Sequence, residues 1–187
     1  NIPLDAYDEI VTDEEDVYYF LSEQINKSSP SQAVYCHEKP VRLYRDELLP
    51  LARLYSLETH LKEALGKRVW LPCGGYLVIE PTEAMTVIDV NSGKSVSKGK
   101  KNKESYLSVN LEAAKEIARQ LRLRNYSGMI MVDFISMEKE DDNRTLLEKL
   151  DRYLREDKVP ARLVDMTALG IVEITRKKVS RPLSDFL

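Results

Sequence analysis

The chain is poor in the residues that build disulfides, thiolate metal sites and histidine-dependent active sites. It has only two cysteines and two histidines in 187 residues. Cys36 and Cys73 lie far apart and neither belongs to a paired-cysteine motif, so we expect two free, buried thiols rather than a disulfide or a metal site. His37 and His60 have no acid or nucleophile at a spacing that indicates catalysis, and we expect neither to be catalytic.

Several longer sequence features are also missing. No apolar run approaches the roughly 20 residues that a membrane-spanning helix needs. The first residues lack an initiator Met, a basic region and an apolar region, so we expect no signal peptide and interpret the chain as an internal piece of a longer protein. There is no glycine-rich phosphate loop and no serine-nucleophile elbow. The tyrosines are scattered and show no base-stacking signature.

The composition is that of a soluble globular protein. Hydrophobic residues make up 43% of the chain and charged residues 32%, which argues against disorder. The formal net charge of -3 excludes a uniformly basic nucleic-acid binder. A local basic site on an otherwise acidic protein remains compatible with that charge.

The pattern predicts two pieces, residues 1–66 and residues 67–187. In the first, Val17, Phe20 and Leu21 share one helical face, short strands are expected near 33–36 and 41–44, and a second helix ends at Gly66. In the second piece, strands and helices alternate, which favours an α/β layer with some parallel pairing. Its predicted strands are at 69–71, 76–79, 84–89, 128–132, 162–164 and 170–174, and its predicted helices are around 107–121 and 146–154.

Two aspartates stand where two predicted strands end. Asp89 ends the apolar run that begins at Ala84, and Asp133 follows the run 128–132, with a predicted helix between them. In a right-handed βαβ crossover the two strands are parallel, and their carboxyl ends meet at the edge where sites in open α/β sheets lie. Neighbouring strands are about 4.8 Å apart and next-nearest strands about 10 Å apart, so either arrangement lets both carboxylates face one hydrated cation.

The residue types at this edge favour a hard divalent cation. Two close carboxylates repel each other, and a cation removes that conflict. With oxygen ligands and no nearby His or Cys, the expected ion is Mg²⁺ or Mn²⁺, and Asn91 adds an uncharged oxygen. The alternative is structural, because an aspartate after a strand is often a turn former or a helix cap.

Two groups of cations follow predicted strands. One comes directly after the Asp89 strand and consists of Lys94, Lys98, Lys100, Lys101 and Lys103. The other follows the last strand and consists of Arg176, Lys177, Lys178 and Arg181. Beside a metal site such cations would hold a phosphodiester backbone and make binding salt-dependent. The alternative is a solvated, flexible surface.

Five segments of the second piece resemble, in this order, the ribonuclease E/G family. They are residues 69–79 (VWLPCGGYLVI), 82–93 (TEAMTVIDVNSG), 110–124 (NLEAAKEIARQLRLR), 128–135 (GMIMVDFI) and 166–176 (MTALGIVEITR). Because the five motifs follow one another in register, the match is highly specific. The match favours the interpretation of Asp89 and Asp133 as metal ligands over their interpretation as turn or helix-cap residues.

The resemblance implies an α/β fold in which residues 1–66 are part of an RNase H-like subdomain and residues 67–187 form a DNase I-like layered subdomain. It also implies that Asp89 and Asp133 are catalytic residues that coordinate Mg²⁺, with Asn91 supporting Asp89. The ion would activate water and stabilise charge on the scissile phosphate. The substrate would be single-stranded, A/U-rich RNA, and the products would carry a 5′-phosphate and a 3′-hydroxyl.

The resemblance further implies rRNA processing and mRNA decay in the cytoplasm, RNA-decay partners for the full-length protein, and pairing of two copies through the DNase I-like subdomain. The family's S1 domain and 5′-phosphate sensor have no counterpart in this sequence. Zinc is expected only in a downstream two-cysteine link, which Cys36 and Cys73 do not form.

Two departures from the family pattern affect the expected site. Family members often carry an acid three residues after the second metal aspartate, where this chain has Ser136. A basic residue is usual shortly before the strand at 162, and here Lys158 or Arg162 substitutes. The expected RNA-binding residues are Lys94, Lys98, Lys100, Lys101, Lys158, Arg162 and Arg176.

The resulting hypothesis is the metal-dependent core of an endoribonuclease that binds Mg²⁺ weakly and cuts RNA slowly, if at all, in isolation. Contacts remote from the reacting atoms position substrates in enzymes generally, and many of them are missing here. Two rivals remain open: a non-catalytic scaffold or RNA-binding fragment, and a metal-dependent phosphoesterase of another specificity.

Overall fold

The protein has a mixed α/β fold that divides into two compact units, Asn1–Leu61 and Lys62–Leu187. The computed structural model describes residues 8–27, 41–93 and 103–186. The boundary predicted at Gly66 lies five residues after this division. The strand predicted at 33–36, Cys36, His37 and the lysines from Lys94 to Lys101 lie outside the described residues.

The first unit contains a parallel pair of short strands, β1 (Ile10–Thr12) and β2 (Val41–Leu43). Helix α1 (Glu15–Lys27) follows β1, and the Thr12 hydroxyl accepts a 3.1 Å hydrogen bond from the Glu14 backbone N–H at the turn between them. Helices α2 (Leu51–Leu54) and α3 (Leu57–Ala64) come after β2. The predictions of α1, β2 and α3 are confirmed, whereas β1 and α2 were not predicted.

The second unit contains a six-stranded sheet with the order β3-β4-β5-β6-β8-β7. Its strands are β3 (Arg68–Trp70), β4 (Tyr76–Pro81), β5 (Met85–Asn91), β6 (Gly128–Asp133), β7 (Ala161–Met166) and β8 (Ile171–Arg176). The long helix α4 (Lys103–Arg124) connects β5 to β6, and α5 (Glu140–Arg155) connects β6 to β7. A 3₁₀ turn, Leu183–Phe186, lies near the end of the chain.

Only one of the five strand pairs in this sheet is parallel. Strands β5 and β6 run side by side in the same direction, and the other neighbours are antiparallel. A parallel pair needs a crossover connection, which α4 supplies. The predicted α/β layer with some parallel pairing is therefore confirmed, and the two strands that carry the aspartates are direct neighbours.

The hydrophobic core lies on one face of this sheet. Along each central strand alternate residues are buried, as in Ile88 and Val90 of β5 or Ile130 and Val132 of β6. Helices α4 and α5 supply the facing residues, which include Ala113, Ala114, Ile117, Leu121, Leu146, Leu150 and Leu154. The opposite face of the sheet, here called the open face, carries the remaining residues of each strand.

Candidate functional site

Asp89 and Asp133 lie directly opposite each other on the open face of the sheet. The parallel register pairs Asp89 with Asp133, and both side chains are exposed. Their neighbours Ile88 and Val132 point to the core, so the pleat turns the two aspartates the other way. Strands this close are about 4.8 Å apart, which sets two carboxylates side by side at the carboxyl ends of β5 and β6. The predicted proximity of these residues is confirmed, and their catalytic role stays a prediction.

Asn91 is joined to Asp89 within the same strand. Strand β5 continues two residues beyond the predicted end at Asp89, which places Asn91 on the open face as well. The Asn91 amide Nδ2 donates a 2.7 Å hydrogen bond to Oδ2 of Asp89. A donor to a carboxylate stabilises its charged form and fixes its rotamer. Asn91 thus holds the Asp89 carboxylate in place.

A buried amide fixes the chain that leaves Asp133. Asn110 of α4 is fully buried, and its Nδ2 donates to the Ile135 carbonyl oxygen at 2.8 Å. In return the Ile135 N–H donates to Asn110 Oδ1 at 3.1 Å. This pair of bonds satisfies two backbone groups two residues beyond Asp133. Sequence reasoning missed the role of Asn110, because a polar residue on an otherwise amphipathic helix gives no signal of a partner 25 positions away.

Two glycines bring the β3–β4 turn against the end of β5. A Cβ on Gly75 would lie 2.7 Å from the Asn91 carbonyl oxygen, closer than real Cβ contacts allow. Gly93 has a φ of +62°, and a Cβ there would overlap the Gly74 carbonyl oxygen. Glycine is required at both positions because the two backbone segments nearly touch. The turn therefore buttresses the strand that carries Asp89 and Asn91.

The same turn contains Cys73, which is a free, half-buried thiol. Burial raises the pKa of this thiol, and a hydrogen bond and the negative charge of Glu112 raise it further. The Glu112 carboxylate also accepts a 3.0 Å hydrogen bond from the Cys73 backbone N–H. Cys73 is thus a weakly acidic thiol that ties the turn to α4, and the expectation of a free thiol is confirmed for this cysteine.

Among the described residues, no group of three or more His, Cys, Asp or Glu residues could hold a metal ion. No helix in that part of the chain combines the length and apolarity that crossing a membrane requires. The edge of β5 and β6 is the candidate site because its two carboxylates are register partners and Asn91 bonds one of them.

Comparison with known proteins identifies the family. The family model described as the Ribonuclease E/G family matches residues 2–179. The chain belongs to the ribonuclease E/G family. Similar curated proteins include Ribonuclease E of Nostoc sp., 50% identical over 129 residues, and Ribonuclease G of Escherichia coli, 42% identical over 139 residues. A Ribonuclease E/G-like chloroplastic protein of Arabidopsis thaliana is 36% identical over 184 residues.

The matches cover most of this chain but a small part of each relative. The aligned regions are 69%, 74% and 98% of this chain, in the same order, and 19%, 28% and 18% of the relatives. The chain therefore spans less than a third of the length of these ribonuclease E/G proteins.

The basic residues expected from the ribonuclease E/G resemblance fall into three groups. Lys94, Lys98, Lys100 and Lys101 lie outside the described residues. Lys158 and Arg162 are exposed, but Arg162 pairs in register with Thr175, which itself pairs with Met129. Since Met129 is four residues, about 13 Å, along β6 from Asp133, Arg162 is not brought together with the two carboxylates.

Arg176, which was predicted to bind RNA, is buried. Its side chain is only 3% exposed and its Nε donates to Asp157 Oδ2 at 2.8 Å. Its Nη1 donates to Asn125 Oδ1 and to the Tyr126 carbonyl oxygen, both at 2.9 Å. A guanidinium buried among these acceptors is not available to a phosphate. We therefore correct the interpretation of Arg176 from an RNA contact to a structural residue that joins β8 to the ends of α4 and α5.

Ser136 occupies the position where the family resemblance led us to expect an acid. It is exposed and follows Ile135, whose backbone Asn110 holds. Asn110 thus orders the short segment that precedes Ser136.

Proposed function

We propose that this chain is the metal-binding catalytic core of an endoribonuclease that hydrolyses single-stranded RNA to 5′-phosphate and 3′-hydroxyl products. One observation supports the proposal above all others. Asp89 and Asp133 are register partners on adjacent parallel strands, exposed on the open face, with Asn91 bonded to the first of them. Membership of the ribonuclease E/G family supplies the substrate class.

The donor atoms at this edge fit Mg²⁺. Two carboxylates side by side repel each other unless a cation or a proton lies between them. Mg²⁺ is usually held by one or two carboxylates together with waters and substrate phosphate, and it does not require a complete protein cage. The absence of a larger cluster of His, Cys, Asp and Glu among the described residues suits that coordination and not a closed zinc site. Mn²⁺ fits the same oxygen donors.

The division of work among the residues follows from their contacts. Asp89 and Asp133 would hold the ion, and when bound it would supply an activated water and a stabilising charge for the scissile phosphate. Asn91 would keep the Asp89 carboxylate aligned through its amide hydrogen bond. Asn110 would keep the segment after Asp133 in place through the two bonds to Ile135. Both act as positioning residues.

The remaining steps of the reaction need groups beyond this edge. Substrate positioning comes from contacts remote from the reacting atoms. We place the chain's role in RNA processing and decay, within a longer protein that supplies those contacts. Single-stranded RNA fits the exposed edge, since an open sheet face can approach an unpaired strand from one side.

Titration of Mg²⁺ and Mn²⁺ into the chain tests the proposed site. We expect binding to be lost in Asp89→Asn and in Asp133→Asn, because each removes one of two charged ligands. Asn91→Ala should weaken binding about 10- to 100-fold, as loss of a residue that orients a ligand does. Asp165→Asn is the matched control, since Asp165 is an exposed acid of the same sheet, and it should bind the ions as the unaltered chain does.

Cleavage assays on an RNA oligonucleotide complete the test. Products with 5′-phosphate and 3′-hydroxyl ends, formed at least about 100-fold more slowly by Asp89→Asn, would support the proposal. Unchanged ion binding in both aspartate variants would show that these residues are structural and would favour the RNA-binding scaffold. Hydrolysis of a small phosphomonoester without cleavage of RNA would favour a phosphoesterase of another specificity.

A further inference from the structure

Three side chains of β3 and β4 form an aromatic and cationic cluster on the open face. The ring centroids of Trp70 and Tyr76 are 5.2 Å apart and the ring planes are tilted by 60°. The Arg68 guanidinium carbon lies 4.5 Å from the centre of the Tyr76 ring and 5.7 Å from that of Trp70. We call this cluster the Trp70 platform. Sequence reasoning missed it, because the three residues meet only through the hairpin register that pairs Trp70 with Tyr76.

The platform is exposed at its outer ring. Trp70 has 63% of its surface open to solvent, while Tyr76 beneath it is half-buried. An indole left this open contributes little to the core, and a large flat aromatic surface in water favours a partner that can cover it. Arg68 holds the underlying ring by a cation–π contact and adds a positive charge to the site.

The sheet register places the platform beside the proposed metal edge. Trp70 pairs with Tyr76, and Tyr76 pairs with Asn91 of β5. Two residues along each strand, Arg68 pairs with Val78 of β4, and Val78 pairs with Asp89 of β5. Asp89 in turn pairs with Asp133 of β6, so Arg68 lies in line with the two aspartates across the sheet. Two strand spacings separate Trp70 from Asn91, or about 10 Å. At a rise of about 3.4 Å per nucleotide or more, on the order of three nucleotides bridge that distance.

The charges on the open face favour this side for a polyanion. On the other side of Asp133, the exposed Asp165 is the register partner of Glu173, so two acids stand next to each other there. On the near side, the part of the chain that the structure describes offers Arg68 no carboxylate at ion-pair distance. The exposed Glu80 on the near side is paired with Lys67. A strand of RNA leaving the two aspartates toward β3 therefore meets a cation and a ring, whereas one leaving toward β7 passes two carboxylates before it reaches the exposed Arg162.

We propose that the Trp70 platform is a stacking site for one unpaired base of the RNA strand whose scissile phosphate lies at Asp89 and Asp133. Every base has a π-face, so stacking on an aromatic ring with help from an arginine tolerates any sequence and excludes paired bases. The site would select single-stranded RNA and hold it near the metal edge. This inference rests on the proposed function for its substrate, and it adds a binding residue outside the two-carboxylate edge.

The chain contains a single tryptophan and ten tyrosines, so fluorescence excited selectively in the indole band reports on Trp70 alone. The probe is an unstructured A/U decamer of RNA, added to the full chain in EDTA so that the strand is bound and not cut. A decamer with the same phosphates but abasic sugars is the comparison. We expect the RNA decamer to quench the Trp70 emission and the abasic decamer to leave it unchanged. Equal quenching by both, or by neither, would overturn the proposal.

Affinity measurements on variants give an independent readout. Trp70→Ala should weaken binding of the RNA decamer about 5- to 100-fold, the usual loss when one stacked ring is removed. Trp70→Phe keeps a flat ring and should stay within about threefold of the unaltered chain. Met129→Ala removes another exposed apolar side chain of the open face, 53% exposed, and should have no effect. Equal affinities of Trp70→Ala and Met129→Ala for RNA would contradict the platform.

The outcomes separate this inference from the proposed function. Loss of Mg²⁺ binding in Asp89→Asn with unchanged RNA affinity in Trp70→Ala would refute the platform and keep the metal site. Unchanged Mg²⁺ binding in Asp89→Asn with the Trp70 quenching intact would keep the platform and refute the metal site. A change in Trp70 emission with protein concentration, without RNA, would show that a second copy covers the ring and would overturn the base-stacking proposal.

Discussion

At the scale of single residues, Asn110 has the largest predicted influence on the metal edge without touching it. Replacing it with alanine leaves the part-buried N–H and carbonyl of Ile135 without their side-chain partner, which costs at most about 1–3 kcal/mol for each group. We expect Asn110→Ala to release the segment after Asp133, so that the Ile135 amide exchanges with solvent much faster. Hydrogen exchange by NMR measures this directly.

Mg²⁺ binding supplies the second readout for Asn110→Ala. A displaced Asp133 should weaken binding of the ion, whereas a purely structural loss would lower stability and leave the ion affinity unchanged. Asn143→Ala on α5 is the control, because it removes an asparagine that lies on another helix. Rapid exchange at Ile135 combined with full ion affinity would restrict Asn110 to a structural role.

The side chains that sequence reasoning misplaced are those whose partners lie far along the chain. Arg176 belongs to a cationic cluster in the sequence, yet its acceptors are 19, 50 and 51 positions away. Lys177 and Lys178, which follow Arg176 directly, are exposed, and no local feature of the sequence distinguishes these exposed cations from the buried Arg176. Asp89 and Asp133 were predictable because they lie at or within two residues of the ends of two strands, which the local apolar pattern approximately shows.

At the scale of elements, the alternation of strands and helices was enough to predict the α/β class and the parallel pair. The order of strands was not, because β8 inserts between β6 and β7, and no local pattern encodes that choice. Handedness rules reduce the possible topologies but leave neighbour selection to packing. The alternation also could not show that β5 and β6 are direct neighbours, which places Asp89 and Asp133 one strand spacing apart instead of two.

The contact of the β3–β4 turn with the end of β5 leads to a prediction about three glycines. The Cβ added by Gly128→Ala would have no atom within 4 Å, so this substitution costs only the strain of the left-handed backbone, about 1–2 kcal/mol of the free energy of unfolding. Gly75→Ala has no such penalty but crowds the Asn91 carbonyl. Gly93→Ala combines a φ of +62° with a steric overlap, so we expect it to lose at least about 1 kcal/mol more than Gly128→Ala. The free energies of unfolding measured in urea give the order of stability of the three variants.

Ion binding distinguishes a general loss of stability from a local effect at the turn. Gly75→Ala and Gly93→Ala should both weaken Mg²⁺ binding, since each pushes the turn against the segment that carries Asn91. Gly128→Ala lies at the opposite end of β6 from Asp133 and should leave it unchanged. Equal ion affinities in all three variants would mean that the turn does not position the site.

At the scale of the whole molecule, the hydrophobic core belongs to one of the two compact units. Its buried cluster runs from Leu71 to Ile174, entirely within the second unit. The division between the units falls inside α3, so a fragment that begins at Leu57 keeps that helix whole. It also keeps the Gly66 carbonyl oxygen, which accepts a 2.7 Å hydrogen bond from the buried Arg124. We expect residues 57–187 to fold without the preceding part of the chain.

Urea unfolding of this fragment and of the whole chain, followed by far-ultraviolet circular dichroism, tests that expectation. A single cooperative transition with a midpoint within about 0.5 M of the main transition of the whole chain would show that the second unit is stable alone. Leu150→Ala in the fragment should lower its free energy of unfolding by about 2–5 kcal/mol, because Leu150 is fully buried. Such a loss would show that the transition reports unfolding of the core between the helices and the sheet. Mg²⁺ binding should be equal in the two proteins, because Asp89, Asn91 and Asp133 are all retained. A fragment that unfolds without a cooperative transition would instead mean that residues 1–56 complete the fold that holds the metal edge.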